Sequence, residues 1–190
     1  MKLVIVGCGR SGTSAVHSQL KAAGFKIGHE VLQEDGGIGW PMLMSRLKNI
    51  WQPLNPTVLH QVREPWSAIS SLTTHKMSLW KAVSKESAGL LEIKNSALRA
   101  AMFWINWNKL CMQLTDKFYR VEDLRSSSSE GYYLLTSALA INKLPKPTKV
   151  NSRKHAKLKR NDFEKWPKVV EEIDNMSHLF GYSRLDNYSI

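Results

Sequence analysis

The first fourteen residues constrain the fold more than any other part of this chain. Residues 2–14 read KLVIVGCGRSGTS, a short apolar run followed by glycines and hydroxyl side chains. The apolar run predicts a strand over 2–6, and the turn after it predicts a helix that begins near Thr13. A strand, a glycine-rich turn and a helix in this order are typical of a phosphate-binding loop. The segment therefore indicates an α/β fold with an anionic ligand, although such turns also occur for packing reasons alone.

The loop lacks the residue that grips nucleoside triphosphates. Gly7 and Gly12 have the G-x-x-x-x-G spacing of a Walker loop, but Thr13 stands where the lysine belongs. Glycines let the backbone approach an anion, and the start of the helix adds its positive end. Side-chain donors in the loop are Arg10, Ser11, Thr13 and Ser14. The loop is therefore suited to a phosphate without being built for a β/γ-phosphate pair.

Length and composition predict one domain over residues 1–190 with a full core. The chain is 43% hydrophobic and 23% charged. It contains no apolar run of about 18 residues and no secretory leader pattern, so we expect no membrane span. Cys8 and Cys111 lie far apart without metal-ligand spacing. We therefore expect free thiols and a cytoplasmic location.

Positive charge is concentrated in one stretch near the C-terminal end. The net charge is +11, and the segment from Lys143 to Arg160 carries eight lysines and arginines and no acidic residue. Prolines in this stretch predict a loop. A solvated loop, a site for a compact polyanion and a nucleic-acid contact are all compatible with it.

The pattern along the chain alternates strands and helices. Predicted strands cover 2–6, 57–62 and 118–121, and predicted helices cover 13–23, 41–50, 65–74, 95–116, 129–140 and 161–180. A glycine-rich stretch over 28–39 is predicted to be irregular, and 142–160 is the basic loop. This order predicts a three-layer, P-loop-like α/β domain with a central parallel sheet flanked by helices.

A second segment with ligand-binding character lies at residues 58–71. Arg63 is placed at the carboxyl end of the second strand, where open α/β sheets bind ligands, and Pro65 begins the next helix. Ser71 follows Arg63 by eight positions, about two turns into that helix. A guanidinium and a hydroxyl so placed can meet one phosphate. A surface ion pair of Arg63 with an acid remains the alternative.

Four segments in order make the chain resemble sulfotransferases that use 3′-phosphoadenosine 5′-phosphosulfate. The R-S-G-T loop resembles the family's 5′-phosphosulfate loop, and Arg63-Glu64-Pro65 with Ser71 resembles its 3′-phosphate motif. Residues 120–124, RVEDL, are similar to the family's Y-E-D-L segment, and Arg153-Lys154 to its late R-K pair. The resemblance implies donor binding by Gly9, Arg10, Ser11, Gly12, Thr13, Ser14, Arg63, Ser71, Arg153 and Lys154. It assigns no adenine platform, because Ala15 and Val16 follow the loop.

The resemblance also implies a reaction. A sulfuryl group would pass from this nucleotide donor to a hydroxyl or amine of a saccharide, peptide or small molecule, without a metal; an anionic acceptor would suit the basic loop. Arg10 is the expected stabiliser of the transferring group. Tyrosylprotein-type members carry a catalytic glutamate after the first β-α unit, so Glu30 is our first choice of base, His29 the second and Asp35 the third. Loop capping by His29 and Glu30 is the alternative, and His60 is expected to be a strand residue.

Two other classes of protein remain open. A P-loop kinase or nucleotide hydrolase would use Glu122 and Asp123 as a Walker-B acid, but Thr13 argues against it. A non-enzymatic nucleic-acid binder would use the stretch 143–160. The aromatic side chains form a helical stripe and do not alternate with the basic residues, so they are poorly placed to stack on bases. This pattern argues against a nucleic-acid binder.

Overall fold

A parallel sheet of five strands organises the chain. The computed structural model describes residues 2–146 and 156–182. The strands are β1 (Leu3–Gly7), β2 (Ile27–His29), β3 (Gly36–Ile38), β4 (Thr57–Val62) and β5 (Phe118–Arg120). Their order across the sheet is β2-β3-β1-β4-β5, and every pair is parallel. Helices flank this central sheet, which confirms the predicted α/β class.

Helices connect the strands and follow them. The α-helices of the described residues are α1 (Thr13–Ala22), α2 (Ser45–Trp51), α3 (Pro65–Leu72), α4 (Met77–Val83), α5 (Ser96–Met112), α6 (Glu130–Leu139) and α7 (Pro167–Leu179). Short 3-10 turns cover Trp40–Leu43, Gln52–Leu54, Val121–Arg125 and Arg160–Phe163. None of the helices within 2–146 and 156–182 combines the length and apolar character needed to cross a bilayer.

The chain divides into two compact units. The first contains residues up to Arg63 and those from Asn108 to Ser152, and therefore holds the whole sheet. The second contains Glu64–Trp107 and the residues from Arg153 onward, and is helical in its described part. The prediction of one domain over 1–190 stays a prediction.

The core of the first unit lies between the sheet and two helices. Side chains of α1 and α6 pack on one face of the strands. Fully buried members include Leu3 and Ile5 of β1, Leu20 of α1 and Leu135 of α6. Each such side chain stabilises the fold by roughly 1.5–3 kcal/mol. This packing fixes α1 against β1, and with it the loop between them.

Aromatic side chains form the core of the second unit. Trp80 meets Phe103 edge-on at 5.6 Å, and Trp104 meets Phe180 in the same way at 6.3 Å. Such edge-to-face pairs add about 0.5–1.5 kcal/mol beyond area burial. Helix α5 supplies aromatic side chains that are almost fully buried, with Phe103, Trp104 and Trp107 at 1% exposure or less.

The glycine-rich stretch 28–39 is the largest departure from the sequence-based expectation. It was predicted to be irregular, but it contains β3 and most of β2. A Cβ at Gly36 would overlap the carbonyl oxygen of Leu3, and one at Gly37 would lie 2.6 Å from Met42 Sδ. These glycines are present because neighbouring atoms approach too closely for a side chain, and glycine carries no strand signal.

Two helical predictions also need correction. Helix α4 was not predicted at all, and the single helix expected over 161–180 is a 3-10 turn followed by α7. Pro167 is the first residue of α7, where its missing N–H costs nothing and its φ is already helical. Proline therefore sets the helix start that periodicity alone had placed too early.

Candidate functional site

The loop between β1 and α1 turns sharply at two residues. Arg10 has φ 70° and Gly12 has φ 87°, both in the left-handed region. Gly12 adopts this conformation without strain, whereas in Arg10 it costs roughly 1–2 kcal/mol of conformational free energy. Gly7 is also required, because a Cβ there would lie 2.7 Å from the Gln61 carbonyl oxygen. The tight turn directs the chain from the buried strand straight into α1.

The start of α1 has the properties of an anion site. Gly12 is its N-cap, no side chain caps the first turn, and that turn holds no acidic residue. Ser11 is 1% exposed, and among the described residues no partner lies within hydrogen-bonding distance of its Oγ. A buried hydroxyl without a partner costs about 1–3 kcal/mol. An anion at the helix N-terminus would accept from the helix amides.

A buried chain of hydrogen bonds supports the loop from the sheet. Gln61 Nε2 donates to the Ser11 carbonyl at 2.6 Å, and Tyr119 Oη donates to Gln61 Oε1 at 2.7 Å. We call this arrangement the Gln61 relay. Sequence reasoning missed both side chains, and the available signal was a glutamine within the apolar strand VLHQV.

Arg63 also holds the loop. It lies half-buried just beyond the carboxyl end of β4, and its Nη1 donates to the Arg10 carbonyl at 3.0 Å. The structure therefore brings Arg63 to the loop, and its expected role at a 3′-phosphate stays a prediction. Glu64, its neighbour in sequence, caps α3 by accepting from the amides of Trp66 and Ser67.

His29 lies against the hydroxyls at the start of α1. Its Nε2 is 3.1 Å from Ser14 Oγ and 3.3 Å from Thr13 Oγ1. Its ring centroid lies 5.6 Å from that of His17, one turn further along the helix. Burial lowers the pKa of His17, and the nearby His29 lowers it further. The histidine at the end of β2 is therefore part of the loop's surroundings.

The two carboxylates proposed as bases are placed differently. Glu30 follows His29 at the same edge of the sheet, with φ 61°, and its Oε1 accepts from Trp40 Nε1 at 2.9 Å. Asp35 precedes β3 at the amino edge, where its carbonyl accepts from the amides of Lys2 and Leu3. In a parallel sheet the two edges lie at opposite ends of the strands. The structure therefore does not bring Asp35 to the loop.

The remaining residues predicted to bind the 3′-phosphate are Ser71, Arg153 and Lys154. Ser71 is buried in the last turn of α3, in the second unit, and its carbonyl accepts from Thr74 Oγ1 at 2.8 Å. Arg153 and Lys154 lie outside the described residues. Their joint role with Arg63 stays a prediction.

His60 is a core residue. It is fully buried, with Nε2 2.9 Å from Asn108 Oδ1. Burial lowers its pKa to about 4, so the imidazole is neutral at physiological pH. Its position agrees with the expectation of a strand residue.

Asp123, one of the two acidic residues that follow β5, is engaged in local structure. Asp123 is held by the Arg120 guanidinium through contacts of 2.8–3.1 Å. This pairing argues against Asp123 as a Walker-B acid. Within 2–146 and 156–182 no group of three or more histidine, cysteine or acidic side chains is arranged to hold a metal ion. Cys8 and Cys111 are buried thiols, and burial raises the pKa of each, which makes them unreactive.

A parallel sheet of five strands flanked by helices, with a tight loop between β1 and α1 at its carboxyl edge, defines an α/β protein with a P-loop-like fold. The chain is similar to the crystal structure of a sulfotransferase from Alicyclobacillus acidocaldarius, with a TM-score of 0.50 over 96% of each chain and 11% sequence identity. No family model matches the chain, and no curated protein matches it. The likeness establishes a sulfotransferase-like fold.

Proposed function

We propose that this protein is a sulfotransferase that moves a sulfuryl group from 3′-phosphoadenosine 5′-phosphosulfate to a hydroxyl or amine acceptor. The observation that carries the proposal is the loop before α1. It presents an uncapped helix N-terminus and the buried, unpartnered Ser11 hydroxyl, and it has Thr13 where a nucleotide kinase needs lysine. This loop lies in a sulfotransferase-like fold.

The loop would hold the 5′-phosphosulfate of the donor. Its backbone amides, the helix start and the hydroxyls supply donors to the phosphate oxygens. The Arg63 guanidinium has five N–H donors, and one of them donates to the Arg10 carbonyl. The resemblance to the family implies that Arg63 also contacts the 3′-phosphate, together with Ser71, Arg153 and Lys154.

In the proposed transfer the acceptor oxygen or nitrogen attacks the sulfur atom. The bond from sulfur to the bridging oxygen breaks, and its electron pair stays on the 5′-phosphate. Negative charge grows on the bridging oxygen as this bond lengthens. Arg10, whose side chain is half-buried at the turn of the loop, would stabilise that charge with the Thr13 and Ser14 hydroxyls.

The acceptor proton needs a base near the loop. The family resemblance places Glu30 first, but the geometry favours His29, because its Nε2 faces Ser14 and Thr13 while Glu30 is bonded to Trp40. In the unliganded protein one of these hydroxyls can donate to an unprotonated Nε2, and when that hydroxyl turns to the donor phosphate the nitrogen is left open to accept a proton. We therefore propose His29 as the base and keep Glu30 as the alternative.

Calorimetric titration tests the donor assignment. The protein should bind 3′,5′-adenosine bisphosphate more tightly than 5′-AMP by about 2–5 kcal/mol, because the second phosphate gains charged partners. This corresponds to an affinity ratio of about 30 or more. Equal affinities for the two nucleotides would contradict the proposal.

A further inference from the structure

We propose that Gln61 and Tyr119 are positioning residues that aim the backbone of the phosphate loop at its ligand. Their catalytic consequence rests on the proposed function, but the orientation they impose is a property of the unliganded protein. Neither residue belongs to the segments by which the chain resembles a known family. Both lie in the first unit, on the neighbouring strands β4 and β5.

The direction of the two hydrogen bonds is fixed by chemistry. The Ser11 carbonyl can only accept, so the Gln61 amide must turn its Nε2 toward it. Gln61 Oε1 then faces Tyr119 Oη and can only accept, so the phenol must donate. The Ser11 carbonyl therefore sets which end of the amide faces the loop, and the tyrosine hydroxyl holds the amide in that orientation by donating to Oε1.

The orientation of the Ser11 carbonyl decides where the next amide points. In a trans peptide the C=O of one residue and the N–H of the following residue point in opposite directions. The described chain contains no cis peptide bond. Gly12 is the residue that caps the start of α1. Because Gln61 holds the Ser11 carbonyl, the N–H of Gly12 points away from Gln61.

The side chains of the Gln61 relay are buried and pack closely against the loop. Gln61 is 0% exposed and Tyr119 is 1% exposed, so water cannot replace either partner. A Cβ on Gly12 would lie 3.0 Å from Val121 Cγ2 and 3.6 Å from Gln61 Nε2, so the loop packs directly on this support. In such surroundings losing one partner leaves another buried polar group unsatisfied.

Arg63, which follows the carboxyl end of β4, also holds a backbone carbonyl of the loop. Arg63 donates to the Arg10 carbonyl, and the Ser11 amide donates on the opposite side to the Cys8 carbonyl at 3.2 Å. Two successive loop carbonyls are therefore held by Gln61 and Arg63. The loop reaches its ligand already ordered, which reduces the entropy lost on binding.

The test uses Tyr119→Phe, with Tyr133→Phe as the matched control because Tyr133 is 60% exposed on α6. In the unliganded protein, hydrogen exchange of a peptide covering residues 8–16 should become faster in Tyr119→Phe and stay unchanged in the control. Affinity for 3′,5′-adenosine bisphosphate should fall about 10-fold in Tyr119→Phe only.

Gln61→Met provides a second variant. It keeps a side chain of similar length but removes both the donor to the Ser11 carbonyl and the acceptor for Tyr119, so the loss of affinity should exceed that of Tyr119→Phe. Unchanged loop exchange and unchanged affinity in Tyr119→Phe would overturn the positioning role. A lower melting temperature with uniformly faster exchange and unchanged affinity would also overturn it, since that is the behaviour of a purely structural pair.

The two proposals fail separately. If the wild-type protein does not bind 3′,5′-adenosine bisphosphate, the proposed function fails. The exchange of residues 8–16 in the unliganded variants still decides whether Gln61 and Tyr119 order the loop.

Discussion

At the scale of single residues, Arg10 has an unusual combination of properties. It adopts left-handed backbone geometry in the loop, and its carbonyl is held by Arg63. Strained conformations of this kind persist where the surrounding structure enforces them, and they concentrate at functional sites. Arg10 and Arg63 lie together, yet their proposed roles differ.

Arg10→Ala should lower turnover far more than it weakens binding of 3′,5′-adenosine bisphosphate. Its guanidinium is proposed to act on charge that develops only during transfer, an effect of about 10²–10³ in rate. Arg63→Ala should mainly weaken nucleotide binding. Turnover measurements beside binding titrations check this, with Arg46→Ala on the exposed face of α2 as control. Identical profiles for Arg10→Ala and Arg63→Ala would contradict the division of roles.

His29→Asn should reduce turnover by about 10²–10⁴ while nucleotide affinity stays within a few-fold of wild type. Glu30→Gln should have the smaller effect, because an amide can still accept from Trp40 Nε1. Rates are measured at saturating donor once an acceptor is identified. If Glu30→Gln proves the more damaging change, the base is the glutamate that the family resemblance suggested.

Sequence reasoning singled out the residues of the loop and Arg63, but not the other two side chains that support the loop, Gln61 and Tyr119. Arg10, Ser11 and Thr13 could be recognised because glycines, hydroxyls and a cation stand together between a strand and a helix. Gln61 and Tyr119 are 58 positions apart, and only the pairing of β4 with β5 brings them together. Contacts of that kind depend on sheet order, which local patterns do not encode.

At the scale of elements, β3 shows why the edge of the sheet was hard to predict. The strand consists of two glycines and an isoleucine, and it pairs with β1 and β2. Its glycines are set by close backbone approach and not by strand propensity. The long elements β1, β4 and α5 were predictable, because burial imposes a clear period on their sequences.

Gly36→Ala should destabilise the protein much more than Gly24→Ala. Both glycines have positive φ, at 148° and 91°, but a Cβ at Gly24 meets no atom within 4 Å, whereas one at Gly36 overlaps Leu3. Gly24→Ala therefore costs only the left-handed conformation, roughly 1–2 kcal/mol. Urea denaturation of both variants measures the difference. Equal losses would contradict the close packing of β3 on β1.

At the scale of the whole molecule, stability should depend on pH through the buried His60. Its pKa is about 4 in the folded protein against 6.5 for the unperturbed group, chiefly because of burial. As the pH falls, the unfolded chain therefore protonates His60 at a higher pH than the folded protein does. Stability is at its full value above about pH 6.5 and decreases toward pH 4, by roughly 3 kcal/mol from this group.

Urea denaturation from about pH 8 to pH 4.5 checks this dependence. The variant His60→Gln should lose most of the slope, and His17, whose pKa is also lowered by burial, should supply a smaller remainder in the same direction. If stability depends on pH equally steeply in His60→Gln and in the wild type, the attribution of this dependence to His60 is wrong.

Thermal unfolding with two nucleotides tests the central claim most directly. At about 100 times its dissociation constant, 3′,5′-adenosine bisphosphate should stabilise the protein by about 2.7 kcal/mol, which raises the melting temperature by roughly 5–10 °C for a chain of this size. ATP with magnesium should give a much smaller shift, because Thr13 replaces the lysine that grips a triphosphate. A larger shift with ATP and magnesium than with the bisphosphate would contradict the sulfotransferase account.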